Sequence, residues 1–301
     1  MIGRRALHAM MAAASLAGLV LAGACGLDAV GLAHDDGVDA NGGLPPSALP
    51  DARADDVEAG EADGGGGDAD AGPVDPCAAK GGPAMVRVDA GFCIDTTEVT
   101  NAQYAPFLAS LDGGSDAGDV PSFCAWKTGY VPSTWSGTPP THPAGAEDLP
   151  VHAVDFCDAW MFCRWAGKRL CGTLDGKPTP PAEVADAQAS AWTWACSAGG
   201  ARVYPYGATY DGTACNTDDI IGEPVKVGSF VKCEGGYPGI FDMSGNAWEW
   251  DDSCDPGGPN ATCRLRGGSV TRGEGEVRCT TALTTSRNDN AGNNGIRCCK
   301  Y

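Results

Sequence analysis

Cysteine constrains this chain more than any other residue. Fifteen cysteines occur in 301 residues, and all but Cys25 lie at or beyond Cys77. That leaves fourteen, and an even number in an exported chain reads as a disulfide framework of up to seven bridges. The competing use of cysteine is zinc ligation. No Cys-x-x-Cys pair is present, and beyond Cys77 the only histidines are His142 and His152, so a zinc site is not expected.

A disulfide framework needs an oxidising compartment, and the N-terminus offers a route to one. Arg4 and Arg5 precede an apolar run of small residues from Met10 to Ala24. The run is short for a membrane span and ends in small residues, as a secretory signal does. Leu21-Ala-Gly-Ala-Cys25 has the form of a bacterial lipoprotein processing box, with Cys25 as the lipidated residue. The alternative is cleavage by ordinary signal peptidase. The expected location is therefore the cell envelope, as an outer-membrane or periplasmic lipoprotein, or a secreted form.

Residues 26–76 read as a tether. They carry thirteen Asp or Glu against one Arg, include Gly64–Gly67 and contain no aromatic residue. Such a segment cannot bury enough apolar surface to offset its ordering entropy. If flexible, it would span roughly 40 Å root-mean-square. The net charge of −19 argues against a nucleic-acid partner. Residues 77–301 are the expected folded domain.

Within that domain, Met85–Asp95 alternates apolar and polar residues and predicts a strand. Thr100 and Gln103 form a capping box for a short helix whose Tyr104, Phe107 and Leu108 face the core. Residues 111–149 read as loop, with Trp126 and Trp135 to pack it. Asp155–Lys168 predicts a second helix, closed by Gly167. The central stretch is Gly239-Ile-Phe-Asp-Met-Ser-Gly-Asn-Ala-Trp-Glu-Trp250, read with Arg266-Gly-Gly-Ser269. Gly245 and Asn246 permit a tight turn, and Trp248 and Trp250 share one face of an extended segment. On spacing alone, Asp242 and Glu249 read as solvated acids flanking a core turn, or as oxygen ligands for a hard cation.

These segments resemble the formylglycine-generating enzyme family, also called sulfatase-modifying factor domains. Glu98-Val-Thr-Asn101 followed by Tyr104 and Phe107 is similar to the family's opening motif. Cys163-Arg-Trp-Ala-Gly-Lys-Arg-Leu170, Tyr204-Pro-Tyr-Gly207, the central stretch and Gly295-Ile-Arg-Cys298 follow in the family's order. The resemblance runs from about Ala84 to Cys298. It implies an α+β fold related to C-type lectins, with little regular secondary structure and many disulfides.

The resemblance also implies residue roles. One calcium would be held at Asn216, Thr217, Asp219 and Ile221, where an ordinary Asx turn is the alternative. A second would be held at Asp242, Gly245, Ala247 and Glu249. Two bridges carry over, Cys163 with Cys298 and Cys196 with Cys279. Each closes a long loop and is worth about 4–5 kcal/mol in the chain-entropy picture. Cys77–Cys93, Cys215–Cys233 and Cys254–Cys263 are suggested by proximity. Cys124, Cys157, Cys171 and Cys299 stay unassigned.

Oxidase members of the family place a copper(I)-binding cysteine pair after Gly-Gly-Ser, and this pair converts a sulfatase cysteine to formylglycine. Counting from Ser269 puts Arg272 and Val277 at those places. Neither side chain supplies the soft thiolate that suits copper(I), so copper is not expected. Ser269 and Arg272 are candidates to line a groove instead. A serine–histidine pairing of Ser269 with His152 has no sequence feature behind it. The expectation is a binding or accessory module that takes a peptide, protein or glycan and reaches the membrane through its lipid anchor. The alternative is a formylglycine-generating oxidase or a related modifying enzyme.

Overall fold

The computed structural model describes residues 75–112, 119–218 and 220–301. The signal segment, Cys25, nearly all of the tether and Asp219 lie outside the described residues. Among the described residues no helix is long and apolar enough to cross a membrane.

Two four-stranded sheets carry the domain. The first has the order β1-β2-β8-β3, built from β1 (Met85–Arg87), β2 (Cys93–Asp95), β3 (Arg169–Leu170) and β8 (Cys298–Lys300). The second has the order β6-β5-β4-β7, from β4 (Trp248–Cys254), β5 (Thr262–Arg266), β6 (Ala282–Ser286) and β7 (Asn294–Gly295). All neighbours are antiparallel except β4 and β7. The expected single strand over Met85–Asp95 is instead a hairpin. Gly91 takes φ 93°, and Met85 pairs with Asp95 across it.

Helix α1 (Asn101–Asp112) begins at the expected capping box, with Gln103 N–H donating to Thr100 Oγ1 and Thr100 N–H to Gln103 Oε1. Helix α2 (Phe156–Trp165) starts from Asp155, whose carboxylate accepts from Cys157 and Asp158 N–H. Gly167 follows it at φ 75°. Helix α3 (Ala191–Ser197) is capped by Ser190. The main core joins α1, α2, β4 and β5. Tyr104 stacks on Phe162 at 5.3 Å, and Trp250 donates through Nε1 to Val154 O at 2.9 Å. A second core gathers Phe92, Ile94, Trp192 and Met243.

Seven disulfides take up every cysteine among the described residues. Cys163 joins Cys298, and Cys196 joins Cys279. Cys77–Cys93, Cys215–Cys233 and Cys254–Cys263 are short-range bridges. The four unassigned cysteines pair as Cys124–Cys157 and Cys171–Cys299.

Candidate functional site

The turn before β4 is the structural centre of the domain. Gly245 sits at φ 80° and Asn246 at φ 55°. The Gly245 N–H donates to Gly267 O at 2.8 Å, and the Asn246 N–H to Asn216 O at 2.9 Å. Ser244 Oγ donates to Val277 O at 2.6 Å. One turn therefore fastens the Arg266–Ser269 stretch, the Asn216 loop and the segment after Ser269. Glycine is required at 245, because a Cβ there would lie 2.4 Å from Asn216 O.

The two acids around this turn are not solvated. Asp242 and Glu249 are buried, and so is Glu98 from the opening motif. Glu249 accepts from Arg297 Nε at 2.8 Å and from Trp192 Nε1 at 2.5 Å. Asp242 accepts from the Gly228 N–H at 2.5 Å. Glu98 accepts from Asn246 Nδ2 at 3.0 Å, and its carboxyl hydrogen-bonds to that of Asp242. Burial raises the pKa of all three, Glu98 most strongly, with Asp242 adding to it. Burial works against the Arg297 charge too, but Glu249 and Glu98 hold it in place and its pKa rises. Three buried carboxylates thus share one guanidinium.

The expected second calcium site can be judged from these contacts. Both Glu249 oxygens are already committed, to Arg297 and Trp192, so Glu249 is an ion-pair partner in this arrangement. Glu98, which the sequence reading missed, brings a second buried carboxyl against that of Asp242. Its signal was its place in the Glu98-Val-Thr-Asn101 motif. No ready-made cage of three acidic, histidine or cysteine side chains exists among the described residues. At the expected first site, Asn216 Oδ1 is buried without a partner, which suits a ligand oxygen. Thr217 is buried and its hydroxyl meets Tyr210 Oη at 3.0 Å, while Ile221 is exposed.

The segment after Gly-Gly-Ser has no thiol. Arg272 pairs with Glu276 at 2.9 Å and its carbonyl accepts from the Asp218 N–H at 3.0 Å. Val277 is wholly buried. Cys279 is bound to Cys196. Ser269 is 2% exposed, so it lines no open surface, contrary to its expected place in a groove. No contact joins Ser269 to His152 among the described residues. His152 instead meets Gly292 O at 3.2 Å, and burial lowers its pKa.

Tyrosines flank this segment, which the sequence reading did not single out as a group. Tyr204 stacks on Tyr206 at 5.5 Å and leans on Tyr210 at 5.7 Å. Tyr204 Oη donates to Glu274 O at 3.0 Å, and Tyr210 Oη donates to Asp218 Oδ2 at 2.5 Å. Tyr204 is itself buried, so the surface beside the Arg272 segment is made by the half-buried Tyr206 and Tyr210.

Comparison with known proteins gives the following. The model of the sulfatase-modifying factor enzyme 1-like domain matches residues 56–301. Hercynine oxygenase of Mycolicibacterium smegmatis is 31% identical over 57% of this chain and 39% of its own length. Formylglycine-generating enzyme of Bos taurus is 27% identical over 74% of this chain and 70% of its own length. The chain thus spans about two fifths of the hercynine oxygenase it matches, 39% of that protein. Among solved structures, CarF aligns with a TM-score of 0.47 at 18% identity, over 74% of this chain and 95% of that one. PvdO from Pseudomonas aeruginosa aligns with a TM-score of 0.45 at 20% identity, over 69% and 80%.

Proposed function

The chain belongs to the sulfatase-modifying factor enzyme family, and from that premise we propose that its domain is a binding or accessory module without the copper–thiol chemistry. One observation carries this reading: every cysteine among the described residues is bridged, and Arg272 and Val277 occupy the two expected thiol positions. The Arg272–Glu276 pair can neither bind copper(I) nor pass electrons. It presents charge and hydrogen bonds beside the half-buried Tyr206 and Tyr210, which suits recognition.

Export and lipid anchoring at Cys25 belong to the same reading. Seven disulfides need an oxidising compartment, which supports export. Calcium, if bound, would act structurally. Glu98 and Asp242 with the carbonyls of Gly245 and Ala247 are the residues to hold it, and Asn216 is the best-placed oxygen at the other site. Calcium would then raise the thermal midpoint above that measured in chelator.

The names of the relatives favour a second reading, an oxidative enzyme that uses other residues. Aerobic incubation of the copper-loaded full chain with a Cys-x-Pro-x-Arg peptide, read by mass spectrometry, tests the formylglycine-generating form of that second reading. The binding reading expects an unchanged peptide. Conversion of the cysteine to an aldehyde overturns it.

A further inference from the structure

Two adjoining cavities of 480 and 500 Å³ share Phe123, Pro178 and Asp252, and no residue of the Gly-Gly-Ser segment lines either. Their combined size is that of a small-ligand site. One wall is aromatic. Trp160 on α2 and Phe123 stand edge to face at 5.7 Å, both half-buried. Asp252 lies at the base. It sits where the β4–β5 register slips between Asp251 and Cys254. A slip of this kind re-aims side chains off the ladder and is a common device beside binding sites. The backbone of Asp252 is fixed on both sides: its N–H donates to Cys171 O at 2.8 Å, and its carbonyl accepts from Thr179 N–H at 2.7 Å.

The Asp252 carboxylate itself accepts no hydrogen bond and forms no ion pair among the described residues. Three guanidinium groups and Lys168 line the cavities, but each is directed elsewhere: Lys168 pairs with Asp95 at 2.5 Å, and the second acid of the lining, Asp255, pairs with Arg264 at 3.3 Å. Arg164 lies over Trp160 at 5.4 Å and donates to Asp119 O at 2.8 Å. Arg169 donates to Gly176 O at 2.9 Å. Arg287 lies over Phe123 at 5.1 Å and donates to Gly257 O and Gly258 O. Burial raises the Asp252 pKa to about 6, with Arg169 and Arg287 opposing the shift.

This pattern selects a ligand class by charge. A cationic ligand would face three guanidinium groups. An anion would meet an unpartnered carboxylate at the base of the site. A neutral molecule with adjacent hydroxyl donors for Asp252, acceptors for the guanidinium edges and an apolar face for Trp160 satisfies every group. We propose that this groove, formed by Trp160, Phe123 and Asp252, is a binding site for a neutral saccharide. The inference goes beyond the proposed function, because the groove is independent of the thiol positions and would stand in an enzyme too.

The test titrates the full chain with maltotetraose, cellotetraose, mannotetraose and chitotetraose, read by tryptophan fluorescence and saturation-transfer NMR. Tetragalacturonate and a glucosamine tetramer serve as anionic and cationic counterparts. At least one neutral probe should bind saturably, and more tightly than either charged one. Asp252→Asn, which keeps shape and removes the charged acceptor, should weaken that binding about tenfold or more. Trp160→Ala should also weaken it, while Lys226→Ala, at an exposed ion pair outside both cavities, should leave it unchanged. If Trp160→Ala does not fold, Asp252→Asn decides alone. Absence of saturable binding by all four neutral probes, preference for a charged probe, or an Asp252→Asn variant that binds like the parent overturns the proposal.

Discussion

Replacing Arg297 by methionine tests the energetic centre of the domain. The Arg297 side chain is fully buried and carries three interactions: Nε to Glu249 Oε1 at 2.8 Å, Nη1 to Asp95 O at 2.7 Å and Nη2 to Phe241 O at 2.7 Å. Methionine fills much of the space but leaves Glu249 without its cation beside Asp242 and Glu98. Breaking a buried ion pair from one side costs about 3–5 kcal/mol. The two orphaned carbonyls add to this unless water reaches them, so a loss of about 5 kcal/mol is expected. For a domain of this size that corresponds to a fall of roughly 10–20 °C in thermal midpoint. The disulfides hold the chain in register, so the variant can be prepared and compared. The assay is urea unfolding of oxidised protein, followed by near-ultraviolet circular dichroism. The double variant Arg297→Met with Glu249→Gln removes the stranded charge and should recover about 2 kcal/mol or more. A single-variant loss below about 1 kcal/mol, or no recovery in the double variant, refutes the account.

Other outcomes follow from the same structure. Gly245→Ala should destabilise the domain by about 2–4 kcal/mol through its left-handed backbone and the clash with Asn216 O, whereas Gly292→Ala, also left-handed but with open space, should cost about 1–2 kcal/mol; equal losses in urea titrations would sink the steric argument. Asp95, Asp158 and Asp251 have pKa values raised by burial to about 6, 7 and 7, so the native state holds protons that the unfolded chain releases near the usual 3.8. The stability they contribute is complete below that value and is lost as pH rises to about 7, so the thermal midpoint should be higher at pH 5 than at pH 7.5, and the reverse order in calorimetry would count against it. A thiol titration of unfolded, unreduced protein should find no free thiol from Cys77 onward, and two reactive thiols there would reopen the oxidase reading.

Much of the architecture was legible because it depends on local chemistry. The capping box at Thr100 and Gln103, the i, i+3, i+4 spacing of Tyr104, Phe107 and Leu108, and the Gly245-Asn246 turn each act within a few residues. The hairpin at Gly91 was missed because alternation alone does not show where a strand folds back. The burial of Glu249 was hidden by its own chemistry: an acid between two tryptophans reads as surface unless its partner is known, and Arg297 lies 48 residues away. Ser269 misled for the opposite reason. A serine after two glycines suggests an exposed turn, but Ser269 is buried in a turn tied to the Gly245-Asn246 pair through Gly267 O and the Val270 N–H. The Asp252 groove had no sequence signal, since its walls come from α2, the Ser122–Cys124 turn and a register slip that only three dimensions reveal.

Strand β8 completes the first sheet by fitting between β2 and β3, and its Cys298 and Cys299 close bridges across 135 and 128 residues. A chain that emerges in order must therefore carry β2, α2 and β3 as unfinished pieces, with Cys163 and Cys171 open to wrong partners among the cysteines already present. Assembly is a late event with a high contact order, and such topologies fold slowly. The yield of correctly bridged protein is then set by how readily wrong pairings are undone before β8 arrives. Production of this domain should depend on disulfide-reshuffling capacity more than on the strength of any one core contact.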